Sequence, residues 1–171
     1  ISIQSFFWKE LADYYLEEVK YRIYQPEIYG KESKEAAQFT LKEVLLQSLK
    51  LLAPFACYTT EEIYHQLFAE KAKHSKSIHL EKWPSCDEAL ISGESEAIAG
   101  RLHSILSEIR RYKASNKLPL NSELSSVKIS IPQNFEHYFP LIEEEIKAVT
   151  KAKSLELQVW KQENVGVECF V

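Results

Sequence analysis

The alternation of apolar and polar positions predicts four amphipathic helices in the first 120 residues. Apolar side chains recur at steps of three and four residues in four stretches, at about 1–24, 34–53, 59–68 and 95–116. Pro54 is expected to end the second stretch, because the residue before a proline avoids the helical conformation. Long amphipathic helices that follow one another along a chain predict a helical bundle.

Two of these helices carry a start signal. Residues 59–62 read TTEE, which is the spacing of a capping box. We therefore expect the Thr59 hydroxyl to accept from a free backbone amide and Glu62 to reach back to the cap. Ser33 is predicted to cap the second helix in the same manner.

The pattern changes after residue 120. Val127, Ile129 and Ile131 alternate with polar residues, which predicts a strand, and a helical pattern follows at about 138–149. Two further alternating stretches flank a polar turn at residues 161–164. The tail is thus predicted to be a strand-helix-strand-strand unit. We predict two domains, a helical bundle of residues 1–121 and a small α+β appendage of residues 122–171.

The composition fits a soluble globular chain. With 171 residues and 45% hydrophobic content, the chain can bury a substantial core. Its three cysteines are scattered and lack CxxC spacing, which favours reduced thiols and a cytoplasmic location. No apolar run is long enough to span a membrane. The chain has no methionine, even at position 1, so we expect it to be a fragment of a longer protein.

The residues that usually mark an enzyme are missing. The four glycines are too dispersed to form a phosphate-binding loop, and GxSxG and HExxH motifs do not occur. His74, His79 and Cys86 lie near one another in sequence but lack the spacing of metal ligands. We therefore predict no catalytic residue, no metal site and no cofactor within this chain.

One helix end is a candidate phosphate-binding surface, although the formal net charge of the chain is −4. Residues 101–117 carry five cations and a single acid. Arg110, Lys113 and Lys117 are spaced i, i+3, i+7, which predicts one cationic stripe. The alternative is an ordinary solvated helix end, where cations are favoured by the helix dipole. The residues alone leave both interpretations open.

The end of the first helix is a second candidate surface. Lys20 and Arg22 are interleaved there with Tyr21 and Tyr24, and such a mixture can hold phosphates and stack unpaired bases. In the alternative interpretation the two tyrosines cap the bundle. RNA binding by an anionic chain requires these cations and those of the fourth helix to form one continuous track.

Four ordered segments resemble a known family. Residues 7–20 (FWKELADYYLEEVK) resemble the W-x-x-x-x-D-[WY]-Y-[LI]-E-x-x-K segment that opens the anticodon-binding helical domain of valyl-tRNA synthetases. Residues 51–64, with LLAPF and TTEEIY, are similar to the family's L-L-x-P-x-x-P-F-x-x-E-E run, although only one proline is present. Residues 77–84 (SIHLEKWP) and 109–120 (IRRYK and NKLPL) resemble two further segments.

The resemblance implies a fold, a parent reaction and a partner. The fold is a mainly α bundle of the class I synthetase anticodon-binding type, here with the small α+β appendage. The implied parent is a cytoplasmic enzyme whose upstream catalytic domain charges tRNA with valine, using ATP and Mg²⁺. The implied partner is the anticodon stem-loop of tRNA, with neither DNA nor a membrane involved. The alternatives are an isoleucyl or leucyl enzyme, or a structural bundle that contacts only protein.

The resemblance also implies site residues. The helix that matches residues 7–20 lies beside the anticodon in this family, so Leu16 is carried over as an apolar contact to an anticodon base. Lys20 and Arg22 are carried over as phosphate contacts. With Arg110, Lys113 and Lys117 from the fourth helix, they make up the predicted RNA-binding set.

Overall fold

The structure, a computed structural model, describes residues 2–69, 75–160 and 165–170. It divides into two compact units, Ile1–Glu88 and Ala89–Val171. Three sequence-based expectations lie outside the described residues. They concern the helical character of Ile1, the histidine at position 74, and the polar turn at 161–164.

The first unit is helical. Its first helix, α1, runs without a break from residue 3 to residue 24 and contains a central stretch of π-type turns. Three more helices and one 3₁₀ turn follow in the part of this unit that the structure describes. The elements are α1 (Ile3–Ser5, Phe6–Tyr15 and Leu16–Tyr24), α2 (Pro26–Tyr29), α3 (Lys31–Leu52), α4 (Cys57–Leu67) and the 3₁₀ turn Ile78–Leu80.

The helix starts differ from the two predicted caps. Gly30 precedes α3 with φ of +89°, a conformation that glycine adopts without strain, and Ser33 lies inside the helix. Helix α4 begins at Cys57, two residues before Thr59. The predicted capping box is therefore wrong, because the N-cap residue of this helix is Ala56, which makes no side-chain capping bond. The sequence signal failed because the chain resumes helical geometry directly after the Pro54 turn.

The core of the first unit lies between α3, α4 and the 3₁₀ turn. Its fully buried members are Leu46, Leu49, Ala53, Tyr64, Phe68 and Ile78. The apolar stripe predicted for α1 is only partly buried, since Leu11 and Val19 are inside while Trp8 is 62% exposed and Leu16 is 39% exposed. The apolar period of α1 therefore predicted that more of its side chains are buried within this unit than the structure shows.

Two carboxylates anchor the segment that follows α4. Glu81 Oε1 accepts from the Ser75 amide at 2.7 Å and from the Tyr64 hydroxyl at 2.8 Å. The other oxygen of this carboxylate, Oε2, pairs with Lys50 Nζ at 3.2 Å. Glu61 Oε2 accepts from the Ile78 amide at 2.9 Å and from the Ser77 hydroxyl at 3.1 Å. The segment is thus tied to α4 through the Ile78 amide and to α3 through the Glu81 side chain.

These contacts set the charge state of Glu81. The amide of Ser75, the hydroxyl of Tyr64 and the ammonium of Lys50 together lower the pKa of Glu81 to about 2, against the cost of burial. In turn, burial and the bond to Glu81 raise the pKa of Tyr64. Burial opposes ionisation of Glu61, but the bonds from Ile78 and Ser77 outweigh it and lower its pKa. Both anchors are therefore carboxylates at neutral pH.

The second unit packs two helices on a small sheet. A 3₁₀ turn at Glu88–Leu90 contains the division between the units, and the sheet has the order β2-β1-β3. Strand β2 is parallel to β1 and β3 is antiparallel to it. The elements are α5 (Gly93–Ser115), β1 (Leu124–Pro132), a 3₁₀ turn (Gln133–Tyr138), α6 (Phe139–Thr150), β2 (Ala152–Trp160) and β3 (Gly166–Phe170).

The predicted mainly helical fold with a small terminal sheet is confirmed. The boundary between the two units lies at a different residue from the predicted domain boundary. The structure divides between Glu88 and Ala89 and not after residue 121. The reason is that the apolar stripe of α5, which includes Ile105 and Ile109, belongs to the same buried cluster as Ile129 of β1. A helix assigned to the bundle by its period thus completes the core of the sheet.

The face of the sheet away from this cluster is polar and is closed at one end by an indole ring. Lys128 on β1 lies opposite Glu156 on β2 and Glu168 on β3. Trp160 lies over Gly166, and a Cβ atom added at Gly166 would come within 2.5 Å of its ring. Any side chain at position 166 would collide with the indole. Glycine is therefore required for the Trp160 ring of β2 to lie against β3.

We expect the Glu81 anchor to make stability dependent on acid pH. The pKa of Glu81 is about 2 in the folded chain against 4.5 for a free side chain. The stabilisation is therefore complete above pH 4.5 and is lost as the pH falls towards 2, by about 3 kcal/mol in all. Glu81→Gln should flatten this part of the stability curve, measured by urea unfolding between pH 2.5 and 7. Glu143→Gln, at an exposed ion pair, should leave the slope of the wild type; parallel curves for both variants would contradict the assignment.

We expect Gly166→Ala to destabilise the second unit by about 1 kcal/mol, because the indole must move off the strand. Urea unfolding monitored by circular dichroism measures this change. In a Trp160→Ala background the same substitution should cost nothing, and Gly100→Ala, where no atom lies within 4 Å, should not destabilise in either background. An equal penalty with and without Trp160 would show that the contact is not the cause.

Candidate nucleic-acid interface

Leu16 and Lys20 form the exposed face of the last turns of α1. The two residues are four apart on a regular helix, so their side chains are neighbours. Leu16 is 39% exposed, and the Lys20 side chain is 51% exposed and pairs with Glu17 at 2.5 Å. On the same helix Val19 and Glu18 are buried, so the side that carries Leu16 and Lys20 faces solvent. The structure therefore brings an apolar and a cationic candidate together.

Arg22 has a different environment from the one predicted. Its Nε donates to the Ser33 hydroxyl at 2.8 Å and its Nη2 to the Ser33 carbonyl at 3.1 Å. This guanidinium links the end of α1 to the first turn of α3. Nearby, Tyr21 packs edge-on against Tyr29, whereas Tyr24 is 76% exposed. Arg22 thus orients the end of α1, and a phosphate would have to compete with Ser33 for it.

Lys113 is not part of a solvated stripe. It is 2% exposed, and its ammonium donates to the carbonyls of Leu120, Ser122 and Thr150, each at 2.9 Å. An ammonium group has three N–H donors, so all three are used within the protein. Burial lowers the pKa of Lys113, and the charge of Lys151 adds to this effect. The prediction of Lys113 as a phosphate contact is therefore wrong.

A sequence signal for this burial was present. Leu102, Ile105, Leu106 and Ile109 form the buried stripe of α5, and Lys113 continues it four residues after Ile109. The spacing of Lys113 from Arg110 and Lys117 had instead assigned it to the cationic side. A lysine on an apolar stripe can be buried when carbonyls surround its ammonium. Those carbonyls come from a loop and from α6, which the local pattern does not connect.

The two other cations of the predicted stripe lie near the end of α5. Arg110 is half-buried within the helix, and Lys117 is exposed on the turn that follows it. Lys117 has φ of +54°, and the next amide, that of Leu118, donates to the Lys113 carbonyl at 2.8 Å. The Lys113 contacts thus fix the turn on which Lys117 is displayed. Arg110 and Lys117 stay candidate phosphate contacts.

Among the described residues, no three His, Cys, Asp or Glu side chains are grouped closely enough to hold a metal ion. His79 and Cys86 are described but His74 is not, so the histidine-cysteine grouping considered above lies partly outside this range. No helix in the described segments has both the length and the apolar character needed to cross a membrane.

The fold and the candidate surface define a helical module with a small terminal sheet, which displays cationic and apolar side chains at helix ends. The chain belongs to the family of anticodon-binding domains of tRNA ligases, whose sequence model matches residues 1–129. The segments that resembled this family in the sequence all lie within that match.

Individual relatives agree with this assignment. Over 153 residues the chain is 42% identical to a valine–tRNA ligase of Pyrococcus horikoshii, covering 90% of this chain and 17% of the relative. It is 36% identical over 163 residues to a valine–tRNA ligase of Methanopyrus kandleri, covering 92% and 17%. For a valine–tRNA ligase of Wolbachia pipientis the identity is 33% over 167 residues, covering 98% and 18%. The resemblance to valyl-tRNA synthetases is confirmed, and the chain spans less than a fifth of these relatives.

We expect Lys113→Met to lower the free energy of unfolding by about 2–3 kcal/mol, because three carbonyls lose a charged donor. Urea unfolding provides the measurement. Lys117→Gln, an exposed change in the same turn, should stay within about 0.5 kcal/mol of the wild type. If Lys113 were a phosphate contact instead, its replacement would leave stability unchanged and reduce the salt dependence of RNA binding.

Proposed function

We propose that this chain is the anticodon stem-loop binding module of a valine–tRNA ligase. The observation that carries the proposal is the family match over residues 1–129. It is joined by the similarity of nearly the whole chain to relatives named valine–tRNA ligase. The exposed pair of Leu16 and Lys20 supports it, because both residues lie in the segment that resembles the family's anticodon-facing helix.

Lys20 is suited to exchange its partner for a phosphate. Its ion pair with Glu17 is half exposed on both sides, and such pairs contribute only about 0–1 kcal/mol. A phosphate oxygen can therefore replace the carboxylate at little cost. Leu16, one turn away, offers an apolar surface against which an unstacked anticodon base can lie. The phosphate-binding set proposed here is Lys20, Arg110 and Lys117, with Arg22 holding α1 in place.

The chemistry of the parent enzyme would take place outside this chain. In this proposal an upstream domain of the same polypeptide activates valine with ATP and Mg²⁺ and transfers it to tRNA in the cytoplasm. The module supplies binding energy and orientation, which can increase the rate of transfer without any catalytic residue. Neither DNA nor a membrane is a partner in this scheme.

Two alternatives differ in what they predict. The corresponding domain of an isoleucyl or leucyl enzyme would bind a different tRNA, and the names of the relatives favour valine. A structural bundle that contacts only protein is favoured by the net charge of −4 and by the internal contacts of Arg22 and Lys113. Such a bundle would not bind tRNA in a salt-dependent manner.

We expect the chain to bind a valine tRNA transcript with an affinity that falls as salt rises. Lys20→Gln should weaken binding and reduce the slope of log affinity against log salt by about 0.7–0.9, the value for one phosphate contact. Leu16→Ser should weaken binding without changing the slope. Fluorescence anisotropy between 50 and 200 mM salt measures both effects.

The matched control is Lys147→Gln, which removes a cation from an equally exposed helical ion pair, Lys147–Glu143 at 2.6 Å. It should leave the slope unchanged. Binding that does not depend on salt, or equal effects of Lys20→Gln and Lys147→Gln, would contradict the proposed phosphate contact. An isoleucine tRNA bound more tightly than the valine tRNA would contradict the assignment to valine.

A further inference from the structure

The segment after α4 is an anchored strap, defined here as residues 75–84. Its inward positions recur every third residue: Ser75 and Glu81 are bonded to each other, and Ile78 is 3% exposed in the core. The backbone at Ser77 and Glu81 is extended and flanks the 3₁₀ turn. The 3₁₀ turn itself repeats every three residues, and the burial of Ile78 together with the bond between Ser75 and Glu81 shows which side of the strap faces the core.

The exposed side chains of the strap define its outward side. Lys76, His79 and Lys82 are exposed and follow one another at three-residue intervals, and Leu80 is exposed between them. Trp83 follows directly and is 62% exposed. The outward side therefore presents three nitrogen-bearing side chains next to an exposed indole.

The anchoring contacts also remove the negative charge of the strap from its surface. The strap contains one acid, Glu81, and its carboxylate points inward to Lys50, Tyr64 and the Ser75 amide. Its side chain is 12% exposed. Lys76 and Lys82 are left as the charged groups of the outward side, so this side of the strap is cationic within a chain of net charge −4.

The strap is ordered before any ligand arrives. Six hydrogen bonds or ion-pair contacts from Glu61, Glu81 and Ser77 hold its backbone and its turn, and the Ile78 side chain fills the core between α3 and α4. A ligand that binds such a segment does not incur the entropy cost of ordering it. Pre-ordered cations beside an exposed aromatic ring are the elements with which proteins hold phosphates and stack a base.

We propose that the outward side of the strap is a second RNA contact of this module, in which Lys76, His79 and Lys82 hold backbone phosphates and Trp83 stacks on a base. The inference rests on the proposed function, because the polyanion is the tRNA that the module binds. Glu61 and Glu81 act as positioning residues, since they hold the strap and do not touch the RNA.

The experiment uses the 171-residue chain and the valine tRNA transcript. Lys76→Gln/Lys82→Gln should reduce the slope of log affinity against log salt by about 1.4–1.8, the value for two lost phosphate contacts. Trp83→Leu should weaken binding about 5- to 100-fold, and Trp83→Phe should retain most of the affinity because it keeps an aromatic face. Circular dichroism and urea unfolding verify that each variant is folded as the wild type.

The control with the same change in charge is Lys147→Gln/Lys153→Gln, at two exposed ion pairs on the second unit. It should leave the slope unchanged. If the wild type and Lys20→Gln behave as expected but the strap variants match this control, the strap is not an RNA contact and the proposed function stands. If the wild type does not bind tRNA, both proposals are overturned.

Discussion

A charge inside a protein must have a partner for each of its polar atoms, and this constraint shapes both units of the structure. In the second unit the Lys113 ammonium satisfies it with three backbone carbonyls, which join the end of α5, the following turn and the end of α6. In the first unit the Glu81 carboxylate satisfies it with donors from the strap, α3 and α4. Each buried charge thereby fixes a loop that a hydrophobic core alone would leave less constrained.

The same constraint separates structural cations from those that can bind a ligand. Lys113 and Lys50 are used to hold loops, and Arg22 joins α1 to α3 through Ser33. Lys20 instead pairs with a neighbouring acid in solvent, where an ion pair is weak and a phosphate can replace it. A net charge of −4 is compatible with RNA binding when the acids are turned inward or paired beside such cations, as Glu81 and Glu17 are.

The family assignment and the geometry contribute different parts of the functional argument. The match to anticodon-binding domains of tRNA ligases defines what kind of module this is, and the relatives that share its sequence are far longer than the chain. The geometry shows which of the predicted residues are accessible. Leu16 and Lys117 are exposed, whereas Lys113 is buried.

The sequence by itself determined the four long helices, the strand-helix-strand-strand tail and the family, because amphipathic period, proline positions and ordered motifs are local properties of the chain. The resemblance also implied Leu16 and Lys20 as site residues, and their spacing of four residues needs only a helix to make them neighbours. Tertiary structure decided the rest. The division between the units depends on which surface the apolar stripe of α5 covers. The burial of Lys113 depends on carbonyls up to 37 residues away. The start of α4 depends on the turn before it. These are contacts between distant segments, and a residue's own spacing carries no information about the partner that will face it.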